Sequence, residues 1–162
     1  MDGEAPPRAR FRPWTPADRE LALALFDSNV PRYFAARERA DFVEFIDNLP
    51  GPYFVVADAA GQPVGCGGYA VHDEKPDTVA LCWGMIHREH HGEGWGDALL
   101  RHRLRMIARE PGFRRVEIET SQFSRGFFAR YGFEARKEVV DGFAPGIDLI
   151  AMVLDLERPR DS

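Results

Sequence analysis

Residues 87–100 read HREHHGEGWGDALL, and they set three glycines, Gly92, Gly94 and Gly96, at alternate positions. The apolar run TVALCWGMI (78–86) precedes them and a leucine-bearing helical pattern follows. A helix start ordinarily takes a side chain that caps it, and glycine inside a helix costs roughly 1 kcal/mol against alanine. Bare backbone at this place therefore needs a compensating use. The first N–H groups of a helix lack intrahelical partners and carry a partial positive charge. Without side chains in front of them they can approach a phosphate closely, so the segment reads as a strand, a phosphate-seating turn and a helix. A glycine turn with no ligand is the competing reading. The spacing GEGWGD is not the G-x-G-x-x-G of a dinucleotide fold. No Gly-Lys-Ser/Thr follows to make a nucleoside-triphosphate loop.

The flanking pattern supplies the rest of the architecture. RFRPW (10–14) suits a short strand that Pro13 ends early. TPADRELALALF opens a helix, with Thr15 at the N-cap, Pro16 at the first helical position and Asp18 in the first turn. A second helix is expected over 34–49, with Phe42, Phe45 and Ile46 on one side. YFVVAD (53–58) and PVGCGGYAV (63–71) form a hairpin around AAGQ, and 78–86 is a third hairpin-connected strand. After the glycine segment, a helix to about Glu110, a strand at 114–120, a short helix RGFFARY ending at Gly132 and strands at 133–140 and 147–156 complete the chain. This order is neither all-antiparallel nor doubly wound, so the fold class is mixed α/β. One domain is expected over 10–156, with a flexible start at 1–9 and a charged tail at 157–162.

Composition bounds the function. The 162 residues are 44% apolar and 12% aromatic, which suits a folded domain with a real core. The formal charge of −5, with both signs interspersed, argues against broad nucleic-acid binding and permits a cationic small substrate. No apolar run approaches the roughly 20 residues of a membrane helix. The two cysteines, Cys66 and Cys82, fit a reducing compartment, and the expectation is a cytoplasmic protein without a disulfide framework. A hairpin turning near residue 74 would set the two thiols opposite each other. His87, His90 and His91 lie in a turn without a completing ligand set, so no metal site is expected.

The segment His91-Gly92-Glu93-Gly94-Trp95-Gly96 resembles the Q/R-x-x-G-x-G/A acetyl-CoA motif of the GCN5-related N-acetyltransferases, the GNAT family. DALL resembles the start of that family's third helix, and FFARYGFEA its short helix ending in a Gly-Phe pair, here Gly132-Phe133. The element order agrees from residue 10 to 156. The resemblance implies a mixed, mostly antiparallel, splayed sheet flanked by helices, with acetyl-CoA as cosubstrate. It implies that Gly84, Met85 and Ile86 meet pantetheine through their backbone, and that the N–H groups of Gly92, Glu93, Gly94, Trp95, Gly96 and Asp97 hold the pyrophosphate. Ser121 or Gln122 falls where the family often makes a side-chain contact to the cofactor. Two positions depart from the pattern. His91 stands in place of Gln or Arg, and its imidazole can still donate to phosphate. Phe128 stands four residues before the glycine, where many members carry a tyrosine that protonates the departing thiol.

Acetyl transfer to an amine needs a neutral nucleophile. A lysine-like amine of pKa about 10.4 is roughly 0.04% neutral at pH 7, a deficit near 4.6 kcal/mol, whereas a thiol of pKa about 8.5 leaves with little help. A base therefore matters more than an acid. Glu119 and Glu117, on one face of the fifth strand, are the leading candidates, followed by Asp148 and His87; each also fits a surface or salt-bridged role. Tyr131, Ser124 or water could replace the missing tyrosine. Trp83 and Asp148 are candidates for the acceptor pocket, with DGFAPGID (141–148) as its rim. Cys82 shows no activating base, so direct attack is preferred over an acyl-enzyme. The expected function is an acetyl-CoA-dependent N-acetyltransferase acting on a primary amine, a small molecule in preference to a protein, without nucleic-acid or membrane partners. Homodimers are a common outcome for such domains. The alternative is an acyl-CoA-binding regulatory module without chemistry, motivated by Phe128.

Overall fold

The computed structural model describes residues 9–156. Seven strands form one sheet: β1 (Arg10–Pro13), β2 (Tyr53–Ala57), β3 (Pro63–Val71), β4 (Thr78–Ile86), β5 (Arg115–Thr120), β6 (Glu134–Ala144) and β7 (Ile147–Asp155). Their spatial order is β1-β2-β3-β4-β5-β7-β6. Every pairing is antiparallel except β4 with β5, which is parallel. The parallel step requires a crossover, and helix α3 (Trp95–Ala108) supplies it. Helices α1 (Arg19–Ser28), α2 (Arg39–Asp47) and α4 (Arg125–Ala129) complete the fold. The mixed, mostly antiparallel sheet flanked by helices is the expected class.

Strand alternation sends side chains to two cores. On the α3 side, Leu100 and Ile107 pack with Val79, Leu81, Val116, Ile150 and Met152, and α4 adds Phe128. On the other side, Ala22, Leu25 and Phe26 of α1 and Phe42 and Ile46 of α2 cover Tyr53, Cys66 and Met85. The i, i+3, i+4 spacing of Ala22, Leu25 and Phe26 explains why α1 lies flat on the sheet. Strand β2 is buried along its whole length, as a strand covered on both faces must be.

Several boundaries differ from the sequence expectation. The helix expected over 34–49 is a 3₁₀ turn at Ala36–Glu38 followed by α2, leaving 29–35 irregular. The strand expected over 133–140 continues to Ala144 and β7 begins at Ile147, so the link expected over 141–148 shortens to a turn at Pro145 and Gly146. Cys66 opposes Met85, and Cys82 opposes Gly68, so the thiols do not face each other. The hairpin centres on Lys75 rather than on residue 74, which alone would set Cys66 opposite Gly84, and a bulge in β4, described below, moves it on to Met85. The expected flexible start, apart from Ala9, and the charged tail lie outside the described residues. Among the described residues, no helix is long and apolar enough to cross a membrane.

Candidate active site

Strands β4 and β5 pair only through Thr78, Val79 and Ala80 against Arg115, Val116 and Glu117. Beyond that point they diverge, and β4 from Leu81 to Ile86 has no strand on its β5 side. The opening is a cleft of about 2700 Å³ that runs from β5 past β4 to the glycine turn. That volume exceeds the roughly 300–1,000 Å³ of a site for one drug-sized ligand, so a long cofactor and a second reactant fit together.

A bulge shapes the wall of this cleft. Between the pairs Gly68↔Cys82 and Cys66↔Met85, β3 contributes Gly67 alone and β4 contributes Trp83 and Gly84. The extra residue re-aims the strand. Trp83 takes φ +42°, a left-handed conformation that costs a side chain about 1–2 kcal/mol. Packing holds it there. The Trp83 ring sits 5.2 Å from Phe42, 5.9 Å from Phe34 and 6.2 Å from Phe26, and its carbonyl accepts a 2.8 Å hydrogen bond from the Tyr53 hydroxyl. Trp83 is half-buried and lines the cleft, as expected for an acceptor-pocket residue.

The glycine turn closes the far end. Gly92 and Gly94 adopt φ +82° and +90°, which glycine takes without strain. Gly94 is the N-cap of α3, and no side chain caps that end. The first intrahelical bond runs from Ala98 N to Gly94 O at 3.1 Å, so the N–H groups of Trp95, Gly96 and Asp97 lack helical acceptors. Side chains around the turn fasten it instead of covering it. Trp95 is buried against Val56, Val64 and Ile86, and its Nε1 donates to Glu93 at 2.9 Å. The same carboxylate oxygen meets His90 Nδ1 at 3.0 Å, and these two contacts hold Glu93 below its usual pKa. His91 Nε2 donates to Ile86 O at 2.9 Å, a carbonyl it shares with Asn29 Nδ2 at 3.0 Å. The imidazole therefore ties the turn to the end of β4 and keeps only Nδ1 for another partner. Gly84, Met85 and Ile86 line the cleft beside it.

The catalytic candidates separate. Glu119 lines the cleft, is exposed, and among the described residues its carboxylate has no hydrogen bond or ion pair. Glu117 also lines it but pairs with Lys75 Nζ at 3.3 Å, with His72 Nε2 at 3.9 Å. Tyr131 does not line the cleft. Its hydroxyl donates to Asp97 Oδ1 at 2.6 Å and accepts from Arg101 Nε at 3.3 Å, and burial together with Asp97 pushes the phenol pKa up. From the α4 region Ser124, Phe127, Phe128 and Arg130 do line the cleft. Tyr131 lies beyond the end of α4 and is held by Asp97 and Arg101 of α3, so its hydroxyl does not occupy the place of the usual tyrosine.

Ser121 lines the cleft at the end of β5, with its hydroxyl accepting from Phe123 N at 3.3 Å. Gln122 points elsewhere, donating to Gly146 O at 2.8 Å and accepting from Asp148 N at 2.9 Å. Its amide clamps the β6–β7 turn. Asp148 belongs to that turn too, accepting from Asp141 N at 2.9 Å, and is not part of the cleft wall. The rim expectation holds through Phe143, which lines the cleft and whose carbonyl accepts from the Arg37 guanidinium. His87 Nδ1 accepts from Glu89 N at 3.1 Å and is a local cap.

Three cleft residues were not singled out in the sequence. Tyr33 stands 5.0 Å from the His91 ring and 5.8 Å from Phe123. Glu38 accepts from Ala35 N at 2.7 Å, yet burial raises its pKa. Arg103 is 3% exposed beneath β4. Tyr33 and Glu38 lie at and around the start of a segment read as regular helix, and Arg103 sits in a run of arginines, RHRLRMIAR, that reads as a solvated face. Only the i+3 spacing from Leu100, which places Arg103 on the inward side, carried a signal.

The cysteines are inert in this setting. Burial pushes the thiol of Cys66 up to about 12 and that of Cys82 up to about 11. Neither supplies an activated nucleophile.

Comparison with solved structures finds the same fold repeatedly. A GNAT-family protein from Desulfovibrio desulfuricans is 22% identical, with 91% of this chain and 99% of that chain covered and a TM-score of 0.77. The protein yncA from Salmonella typhimurium, solved with its cofactor acetyl-CoA, is 18% identical over 96% and 98% of the two chains, with a TM-score of 0.70. Mutant forms of the spermidine/spermine N-acetyltransferase SpeG from Vibrio cholerae are 16% identical over 91% and 95%, with a TM-score of 0.67. No curated protein matches the sequence. The family model described as the acetyltransferase (GNAT) family matches residues 22–133, more than half of the chain. With a splayed β4–β5 junction opening onto an uncapped glycine turn, and with that match, the chain belongs to the GNAT acetyltransferase family.

Proposed function

We propose that this protein transfers an acetyl group from acetyl-CoA directly to the primary amine of a small molecule. The observation that carries the reading is the continuity of the open β4 edge with the bare N-terminus of α3. An extended pantetheine arm can pair along Gly84, Met85 and Ile86, and its pyrophosphate then reaches the N–H groups between Gly92 and Asp97, where the helix dipole favours negative charge. Ser121 adds a hydroxyl on the opposite wall. Of the two β5-end candidates, Ser121 is favoured over Gln122, whose amide is already committed.

The chemistry follows from the same wall. The bulge at Trp83 and Gly84 lies where both residues line the cleft, and backbone N–H groups there can stabilise the oxyanion as the amine adds to the thioester carbonyl. Glu119 is the base that best suits the amine, since it is unpaired and faces the cleft, whereas Glu117 is held by Lys75. Direct transfer suits two neutral thiols, Cys66 buried and Cys82 half-buried.

The acceptor end of the cleft supports a small substrate. The segment between α1 and α2 is hitched to the β6–β7 hairpin by Arg37 at Phe143 O, and Ala35 packs against Ala144 and Ile147. That strap narrows the path a polypeptide would need. The SpeG neighbour is named for spermidine and spermine, which are small amines. The test is turnover across an amine panel, following release of the CoA thiol and the mass of the acetylated amine. Product from any small amine supports the proposal. Tight acetyl-CoA binding without product from the whole panel favours a non-catalytic acyl-CoA-binding module.

A further inference from the structure

Arg103 is the most unusual charge in the molecule. It lies on α3, is 3% exposed, and makes one long hydrogen bond, Nη1 to Gly68 O at 3.3 Å. Its Nε is buried without a partner, and among the described residues no carboxylate pairs with it. Burial pulls its pKa down to about 10, which still leaves it charged near neutral pH. An unpaired buried charge is costly, and a well-packed apolar side chain would remove that cost.

The surroundings are arranged to admit it. Glycines 67 and 68 on β3 and Gly84 on β4 form a notch in the sheet, and a Cβ on Gly84 would lie 2.8 Å from Nη2. The groups that face the guanidinium are neutral: Tyr53 on β2, Cys66 on β3 and Cys82 on β4 are all held protonated by burial. Glu117 and Glu119 on β5 make no ion pair with it, and α4 presents Phe128 rather than an ionisable side chain. Arg103 nonetheless lines the cleft, at the β4 bulge. Among the described residues no anion pairs with the cation, and α4 offers Phe128 where a phenol could have protonated the leaving group.

From this arrangement we infer that Arg103 is a built-in countercharge for the departing sulfur: its guanidinium beneath the β4 bulge stabilises the thiolate of CoA within the cleft. The inference rests on the acetyltransferase reading. In the step concerned, the amine nitrogen bonds to the thioester carbonyl carbon, the C–S bond breaks with its electron pair going to sulfur, and the amine proton passes to the base. The sulfur leaves as thiolate and takes a proton afterwards. A positive charge that persists through the reaction supplies what a general acid would otherwise supply, without a proton transfer.

The test is the thiol pKa of CoA bound to the intact protein, read from thiolate ultraviolet absorbance between pH 6 and 9.5, with CoA binding measured in parallel by calorimetry. The protein's own thiols titrate above that window, at about 11 and 12. In the wild type the bound thiol should titrate at least about one unit below the free value of about 8.5. Arg103→Met should return it to the free value and lower kcat about tenfold or more, with KM for acetyl-CoA changed less than threefold. Gly84→Ala, which displaces the guanidinium while keeping the arginine, should move the pKa in the same direction and decides the matter if Arg103→Met does not fold. CoA binding with an unshifted wild-type thiol, or a shift that survives both substitutions, overturns the assignment and leaves the acetyltransferase reading intact. Absence of CoA binding to the wild type overturns both.

Discussion

The three glycines that open α3 should respond differently to alanine, and the difference can be worked out from their geometry. Gly94 sits at φ +90° as the N-cap, so alanine there meets left-handed strain of about 1–2 kcal/mol. For a chain of this length each kcal/mol moves Tm by roughly 2–4 °C, which gives a fall of about 2–8 °C. Relief of that strain would turn the N–H groups of the first helical turn away from their present direction. Loss of one charge-assisted hydrogen bond, at about 1.5–3 kcal/mol, weakens acetyl-CoA binding about tenfold to a hundredfold. Gly96 lies inside the helix, without a left-handed φ, and its added Cβ would meet only Phe127, at 3.8 Å. Gly96→Ala should therefore gain up to about 1 kcal/mol from helix propensity, raising Tm by about 2–4 °C, and keep acetyl-CoA affinity within about threefold. Thermal melts and calorimetric titrations of the two variants check this. If Gly96→Ala loses affinity as Gly94→Ala does, or Gly94→Ala melts and binds like the wild type, the geometric account of the turn is wrong.

Other outcomes follow from single residues. Glu119→Gln should lower kcat by about 10²- to 10⁴-fold with acetyl-CoA affinity unchanged, and the loss should shrink for amines of lower pKa; undiminished turnover would remove Glu119 as the base. Cys82, with its thiol pushed up to about 11, is only about a thousandth thiolate at pH 8, so alkylation of the native protein should be slow and Cys82→Ala should keep turnover. Rapid labelling with loss of activity would revive an acyl-enzyme. Tyr131→Phe should cost about 0.5–1.5 kcal/mol of stability, through the lost bond to Asp97, and leave kcat within about threefold. A large fall in kcat would place the phenol in the chemistry after all. Asp18 is held below the usual carboxylate range by the Arg12 guanidinium, with two 2.8 Å hydrogen bonds, and by Thr15 N–H. Its folded pKa is the lower one, so its stabilisation is present above about pH 4 and is lost as pH falls through the depressed value. Asp18→Asn should lower Tm at pH 7 and flatten the acid limb of the stability curve; parallel acid limbs would contradict the linkage.

What could be read from the sequence was local chemistry. The strand–glycine–helix unit declares itself because Gly92, Gly94 and Gly96 break helix preference at one point, and the continuous apolar runs of β2 and β4 mark them as strands. The sites that depend on register were not readable. Trp83 looks like any other strand residue until its pairing with β3 shows one residue too many, and Cys66 misses Cys82 because the β3–β4 hairpin centres on Lys75, one residue later than expected. Tyr131 and Gln122 are the right residue types in the right neighbourhood, but a position past the end of α4 and a turn across the sheet send them to Asp97 and to the β6–β7 hairpin. Asp148 lies at the start of the last strand, as expected, but its carboxylate accepts from Asp141 N and stays out of the cleft wall. Arg103 was hidden for a physical reason: a charged residue at an inward helix position is rare, so it was grouped with its solvated neighbours.

The central claim is that the β4 edge and the α3 N-terminus form one seat for acetyl-CoA, and a calorimetric titration of acetyl-CoA into the purified wild-type protein tests it most directly. The account predicts saturable heat with a stoichiometry near one per chain, and competition by free CoA. No heat at several temperatures, together with no thermal stabilisation by acetyl-CoA, would contradict it and leave the glycines as a turn.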